Sequence, residues 1–135
     1  MREILLPIHP EYVDRILSGE KRFEYRRKTP RSGVSHILIY ATSPAMEYKA
    51  AAEVVETLTG PPSEIWGLTS LHGGISEDRF EAYFRDRSTA IAYRLGRVWR
   101  LPEQNFYFPK VQSFLYLPEG FVERLTENLK PVMEP

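Results

Sequence analysis

The chain contains no cysteine, which excludes disulfide bonds, thiolate metal sites and cysteine nucleophiles. It also lacks long apolar runs: segments such as residues 37–41 are far shorter than the roughly 20 residues that a membrane-spanning helix needs. Its 18 basic residues match 18 acidic ones, which disfavours a protein that coats nucleic acid by net charge but allows a local basic patch. Residues 1–7 lack the pattern of a signal peptide. We therefore expect a cytoplasmic protein that does not engage a membrane.

The residues that are present have the composition of a folded domain. Of the 135 residues, 42% are hydrophobic and 13% are aromatic, a content that disordered chains lack. This length is common for one domain, and residues 1–135 contain no linker, repeat or low-complexity segment, so we expect a single domain. Eleven prolines and eight glycines indicate many short elements joined by tight connections.

Hydrophobic patterning predicts six strands and four helices. The predicted strands cover residues 4–8, 22–27, 36–42, 51–58, 89–100 and 113–117. Helices are predicted after His9-Pro10, at residues 61–66, after Ser76 and after Pro118, the last of them ending at Pro131. Because the strands do not alternate regularly with helices, a doubly wound parallel sheet is disfavoured. We expect an α+β fold, a small mixed or antiparallel β-barrel with flanking helices.

The segment from residue 21 to residue 31 contains six basic residues around one carboxylate. Side chains alternate along a strand. Phe23 and Tyr25 are therefore predicted to anchor one face of the strand, while Arg22, Glu24 and Arg26 share the other.

This charged face has two interpretations. In the first, Lys21 and Arg26 bind an anion, while Glu24 accepts a hydrogen bond from an N–H group of a base or an amide. In the second, the segment is a solvated edge strand whose charges pair with one another. Spacing alone leaves both open.

Gly19, Lys21, Glu24 and Arg26 match in full the G-x-K-x-x-E-x-R signature of the ASCH family, which this chain therefore resembles. Residues 16–19, 40–44 and 52–55 are also similar to the family's pattern, so the resemblance covers nearly the whole chain. It implies a PUA-like β-barrel in which the signature residues line a cleft for RNA or for modified nucleosides.

The resemblance implies two classes of function. One is an RNA- or nucleotide-binding module that uses Lys21, Glu24 and Arg26. The other is a hydrolase with Lys21 as base and Glu24 positioning the substrate, since some members are described as ribonucleases and others hydrolyse the amide of acetylated cytidine. Those amidohydrolases use a lysine, a threonine and a glutamate; here Glu24 stands in the threonine's place, and the acid would be Glu53 or Glu56. An interaction domain with a vestigial cleft ranks last, and it predicts a packed ion-pair network without a cavity.

Further ligand-binding candidates lie on later segments. Thr42 and Ser43 follow an apolar strand and are expected to present hydroxyls to the cleft, with Tyr40 as a stacking platform; a plain strand exit is equally compatible. Glu53 is a lone carboxylate in an apolar strand. The aromatic residues 106–108 lie in a proline-bounded loop, where they are available to stack on bases. The histidines at 9, 36 and 72 have no spacing typical of metal ligands, so we expect no metal and no cofactor.

Overall fold

One six-stranded sheet organises the computed structural model, which describes residues 1–135. The strands are β1 (Arg2–Ile8), β2 (Phe23–Arg26), β3 (Val34–Ala41), β4 (Glu47–Gly60), β5 (Ala90–Arg100) and β6 (Leu115–Tyr116). Their order across the sheet is β2-β5-β4-β3-β1-β6. Neighbouring strands pair antiparallel except β1 and β3, which are parallel. A helix lies between these two in the chain, as a parallel pair requires a long crossover.

The mixed α+β fold expected from the sequence is confirmed, but the sheet does not close into a complete barrel. Both edge strands are short, since β2 has four residues and β6 has two. β6 pairs with β1 only at Ile4 and Leu5, which leaves the C-terminal end of β1 without a strand on that side. The backbone groups that face this gap must find other hydrogen-bond partners.

Four α-helices flank the sheet: α1 (Pro10–Ser18), α2 (Pro62–Thr69), α3 (Glu77–Tyr83) and α4 (Phe121–Thr126), with a 3-10 turn at Ser70–His72. α1 begins at a proline and ends at Gly19, whose φ of 87° lies in the left-handed region that favours glycine. Ser76 caps α3 by accepting a hydrogen bond from the Arg79 backbone N–H. α4 ends earlier than predicted, because the Leu129 N–H closes a turn on the Thr126 carbonyl. None of the helices has the length and apolarity that crossing a bilayer would require.

Period-two alternation divides the buried side chains between the two faces of the sheet. On the inner face, Ile4, Leu6 and Ile8 of β1 pack with α1. On the outer face, Leu5 packs with α4 and with the loop of residues 101–114. The aromatic residues of β2 pack with α2 and α3 in a third cluster. Leu6 and Ile8, at the end of β1 that β6 does not cover, thus belong to the inner core.

Candidate functional site

β2 turns its charged residues toward the inner face of the sheet. Phe23 and Tyr25 are 3% and 5% exposed and pack against α2 and α3, which confirms the predicted anchoring face. Glu24 is buried on the opposite side. Arg22 precedes β2, and its Nη2 donates to the backbone carbonyls of Leu95 and Gly96 in β5.

Lys21 is buried immediately before β2, with 2% of its side chain exposed. Its Nζ donates to the Gly73 carbonyl at 2.7 Å and lies 3.8 Å from Glu24 Oε1. The ammonium group also lies 4.7 Å from the ring centroid of Tyr25, within cation–π range. Burial lowers the pKa of Lys21 from its usual value, and the Glu24 carboxylate opposes that shift. Lys21 therefore loses its proton more easily than a surface lysine does.

The close packing around Lys21 depends on the glycine pair that follows the 3-10 turn. A Cβ on Gly74 would overlap the Lys21 side chain, and a Cβ on Gly73 would overlap the Tyr25 hydroxyl. Gly74 also has a φ of 64°, which other residues adopt only with strain. The double glycine is visible in the sequence, but Gly73 lies 52 residues from its partner Lys21. Spacing along the chain therefore does not connect the two.

Arg26 bridges the gap at the open edge of the sheet. Its Nη1 lies 3.3 Å from Glu24 Oε2 and donates to the Pro7 carbonyl of β1, also at 3.3 Å. Its Nη2 donates to the Ser113 carbonyl, shortly before β6, at 2.9 Å. One guanidinium thus joins β2 to two other segments through the planar set of donors that arginine offers. Glu24 lies between Lys21 and Arg26, and not between two arginines as predicted.

These side chains line an open cavity of about 180 Å³, which we call the signature cavity. Its walls come from β1, α1, β2 and the region of α3: Pro7, Ile8, His9, Tyr12, Lys21, Glu24, Tyr25, Arg26, Ile75 and Tyr83. Two cations face one carboxylate inside it, so its charged lining has an excess of positive charge. Arg27 extends this charge at the surface, where its guanidinium lies 4.3 Å from the ring centroid of Tyr83. Lys28 and Arg31 follow and are exposed. Such a site attracts an anion.

A second cavity of about 440 Å³ lies on the outer face of the sheet, and we call it the aromatic cavity. It is lined by β1, β3, the turn between β3 and β4, β4 and the loop before β6: Leu5, Pro7, Tyr40, Thr42, Ser43, Met46, Tyr48, Tyr107, Phe108, Pro109, Lys110 and Val111. The structure places Tyr40, Thr42 and Ser43 here and not in the signature cavity, so the expected single cleft is divided in two. Pro7 lines both cavities.

Glu53 lines neither cavity. Its carboxylate accepts hydrogen bonds from Arg97 Nε at 3.0 Å and from Arg97 Nη2 at 2.8 Å. These bonds hold the pKa of Glu53 below its usual value. Glu56 is likewise paired with Arg94, at 2.9 Å. The structure therefore does not bring either carboxylate to Lys21.

One group of side chains has the composition of a metal site. Ligand atoms of Glu3, His36 and Glu123 lie within 4.8 Å of one another. Glu3 is buried, and its Oε1 accepts a hydrogen bond from the Val122 backbone N–H in the first turn of α4. Since this carboxylate already has a structural partner and Glu123 is exposed, the geometry alone assigns no ion to the group.

Comparisons with known proteins agree with this architecture. A model of the ASCH domain family matches residues 6–89. A curated protein from Zymomonas mobilis named "ASCH domain-containing ribonuclease" is 30% identical over 95 residues, which cover 70% of this chain and 64% of the relative. The match thus spans less than two thirds of that relative's length.

Solved structures show the same fold. The crystal structure of ASCH from Zymomonas mobilis has a TM-score of 0.82 to this chain at 25% identity, covering 94% of this chain and 95% of that one. The crystal structure of a mutant ZmASCH protein from the same organism also has a TM-score of 0.82, at 24% identity over 95% of this chain and 99% of that one.

Proposed function

Because the chain belongs to the ASCH domain family, we propose that it binds RNA or a nucleotide through the signature cavity. The observation that carries this proposal is that Lys21, Glu24 and Arg26 line an open cavity, although Lys21 and Glu24 are only 2% and 6% exposed. A packed ion-pair network without a cavity would have favoured an interaction domain. The name of the Zymomonas mobilis relative supports RNA as the class of ligand.

The three side chains have complementary roles in this proposal. Lys21 Nζ has three donors and gives one of them to the Gly73 carbonyl, so it retains donors for a phosphate oxygen. Arg26 uses both terminal nitrogens on protein acceptors and contributes chiefly a fixed positive charge. Glu24 lies 3.3 Å and 3.8 Å from its two cationic neighbours and remains an acceptor for an N–H group of a base. The two cations and the carboxylate are therefore suited to bind a phosphate group and the polar edge of a neighbouring base.

A second candidate function is cleavage of RNA with Lys21 as general base. The observation that favours it is that burial lowers the pKa of Lys21, because a general base works best when its pKa approaches the operating pH. Lys21 would accept the proton of the attacking hydroxyl as its oxygen bonds to phosphorus. The bond from phosphorus to the leaving ribose oxygen would break, and that oxygen would take a proton from water. Arg26 would stabilise the charge that develops on the phosphate. Hydrolysis of an acylated nucleoside has less support, since Glu53 and Glu56, the candidates for its acid, are paired with arginines and do not line this cavity.

Fluorescence polarisation with a labelled, short single-stranded RNA tests the binding proposal. We expect binding at low salt that weakens as salt rises, with a log–log slope of about −0.7 per phosphate contact. Lys21→Gln removes the buried charge and should weaken binding by about tenfold or more, the loss of one charge-assisted hydrogen bond. Lys28→Glu changes an exposed residue and should reduce the salt slope.

The matched control is Arg97→Gln, which removes a basic side chain that lines neither cavity. It should leave RNA affinity unchanged. Failure of the wild-type protein to bind any single-stranded or structured RNA at low salt would contradict the proposal.

Incubation with end-labelled RNA separates binding from cleavage. If the chain is a ribonuclease, fragments accumulate with the wild type, and Lys21→Met slows their formation by about 100-fold or more, the usual contribution of a general base. Cleavage that survives Lys21→Met contradicts this role for Lys21. RNA that is bound but stays intact leaves binding as the function.

A further inference from the structure

The aromatic cavity plays no part in the function proposed above. At about 440 Å³ it has the size of a small-ligand site. Its lining is mainly aromatic and aliphatic, with a few polar groups, which is also the usual composition of such sites. The cavity therefore has the size and lining of a binding site for a small ligand.

Contacts among the aromatic side chains hold this cavity in shape. The Tyr48 ring centroid lies 5.1 Å from that of Tyr40 and 6.2 Å from that of Phe108, both in edge-to-face geometry. The Tyr48 hydroxyl accepts a hydrogen bond from the Phe108 backbone N–H at 3.0 Å, which ties the loop of residues 101–114 to β4. Tyr107 is 84% exposed at the rim. Fixed rings with one exposed ring beside them suit a planar aromatic ligand.

The polar groups of the cavity narrow the chemistry of that ligand. Thr42 and Ser43 bring hydroxyls that can both donate to and accept from the edge of a base. Lys110 brings an ammonium group from the loop, which complements a phosphate. A planar ring with polar edges and an attached anion is what a nucleotide presents. A lipid chain would make no use of these hydroxyls or of the ammonium group.

The two cavities meet at Pro7, which lines both of them. Its carbonyl accepts a hydrogen bond from Arg26 Nη1 at 3.3 Å, so the cation of the signature cavity is fixed to a residue that also forms the aromatic cavity. We infer that the aromatic cavity takes an unpaired nucleobase from the same RNA strand whose phosphate lies at the signature cavity. Proteins commonly read single-stranded RNA through bases that are turned out and stacked on aromatic side chains. The inference rests on the proposed function, because that function places the RNA strand at the signature cavity. Binding of a base in the aromatic cavity can be tested separately.

Two probes test this inference. The first is 2-aminopurine riboside, a fluorescent base analogue whose emission is quenched by stacking. The second is a short single-stranded RNA, compared with versions from which one base at a time has been removed. Tyr107→Ala is the test variant, because its largely exposed side chain can be removed without disturbing the core. Tyr116→Ala is the control, since Tyr116 is another exposed tyrosine and lines neither cavity.

We expect the wild type to quench the riboside and to lose about 5- to 100-fold in RNA affinity when one particular base is absent. Tyr107→Ala should remove both the quenching and the sensitivity to the missing base, and Tyr116→Ala should keep both. Lys21→Gln should weaken RNA binding but still quench the riboside, because Lys21 lies in the other cavity.

The outcomes distinguish this inference from the proposed function. RNA binding that depends on Lys21 but not on any single base or on Tyr107 would overturn the inference and leave the proposed function standing. If quenching depends on Tyr107 but the protein binds no RNA at low salt, the proposed function is overturned. The inference that the base and the phosphate belong to one RNA strand is then overturned as well. A wild-type protein that neither quenches the riboside nor loses RNA affinity when any single base is absent would overturn the inference outright.

Discussion

Arg26 should contribute to the stability of the fold as well as to the charge of the signature cavity. Its guanidinium contacts three acceptors from separate segments: Glu24 Oε2 and the Pro7 carbonyl at 3.3 Å, and the Ser113 carbonyl at 2.9 Å. β6 does not extend along β1 as far as Pro7, so Arg26 supplies the hydrogen bond that a neighbouring strand would otherwise supply. Replacing Arg26 by alanine deprives two carbonyls and a buried carboxylate of this donor.

The size of the effect follows from these contacts. A hydrogen bond that involves a charged group contributes about 1.5–3 kcal/mol, and the three are not additive because one guanidinium makes them all. Water in the signature cavity can reach the freed groups, and Lys21 remains 3.8 Å from Glu24, so the loss is smaller than the sum. We expect Arg26→Ala to lower the free energy of unfolding by about 2–4 kcal/mol. Arg26→Lys should lower it by about 1–2 kcal/mol, because lysine keeps the charge but not the planar donors.

Urea denaturation followed by circular dichroism and tryptophan fluorescence measures this loss. With an m-value of about 2 kcal/mol/M, the midpoint of Arg26→Ala should fall by about 1–2 M. The control is Arg27→Ala, which removes an exposed guanidinium 4.3 Å from the ring centroid of Tyr83, a contact worth about 0.5–1 kcal/mol. If Arg26→Ala costs no more than Arg27→Ala, the guanidinium does not bridge the open edge and the reasoning is refuted.

The remaining predictions address Gly74, the titration of Lys21 and the carboxylate of Glu53. Gly74→Ala should lower the free energy of unfolding in urea by about 2 kcal/mol or more, because its φ of 64° disfavours a Cβ that would also overlap Lys21. Gly67→Ala, which has open space in α2, should instead stabilise by about 0.5–1 kcal/mol, and equal effects would contradict the packing. Burial lowers the pKa of Lys21 below its usual 10.5. Between the pKa of the folded protein and pH 10.5, the unfolded chain therefore binds more protons than the folded protein does. The free energy of unfolding should rise with pH over this range. Denaturation at a series of pH values should therefore show the wild type gaining stability over Lys21→Met toward pH 10.5, and a constant difference would refute the shift. Glu53→Gln should leave RNA affinity and its salt slope unchanged in the polarisation assay, because Glu53 is paired with Arg97 outside both cavities; weaker binding would place it on the RNA-binding surface.

Local patterns are sufficient to predict the elements that carry the signature. A proline at the start of α1 and Gly19 at its end define the helix before the motif, as the sequence indicates. Alternation in β2 separates Phe23 from Glu24, and the structure has the same division. These signals act over a few residues, so they do not require knowledge of the fold.

The composition of each cavity cannot be predicted in this way, because it depends on contacts between distant segments. Gly73 reaches Lys21 across 52 residues, and Arg97 reaches Glu53 across 44. Alternation places Tyr40 on one face of β3 but does not say which face meets the signature residues. The pairing of β3 with β1 and β4 decides this, and it puts Tyr40 on the outer face under the loop of residues 101–114.

Arg26 has both a structural role and a proposed binding role, so a loss of RNA binding in Arg26→Ala has two explanations. Lys21 supplies the comparison, because it bonds to Gly73 and does not span the open edge. If the charge of the signature cavity binds RNA, Arg26→Lys should retain most of the RNA affinity when binding is measured at urea concentrations far below the unfolding midpoint of the variant. Lys21→Gln should lose RNA affinity under the same conditions. The opposite order would mean that the loop ending at Ser113, which Arg26 holds beside β1, forms the binding surface. That loop also carries Tyr107, so the result would shift the weight of RNA recognition to the aromatic cavity.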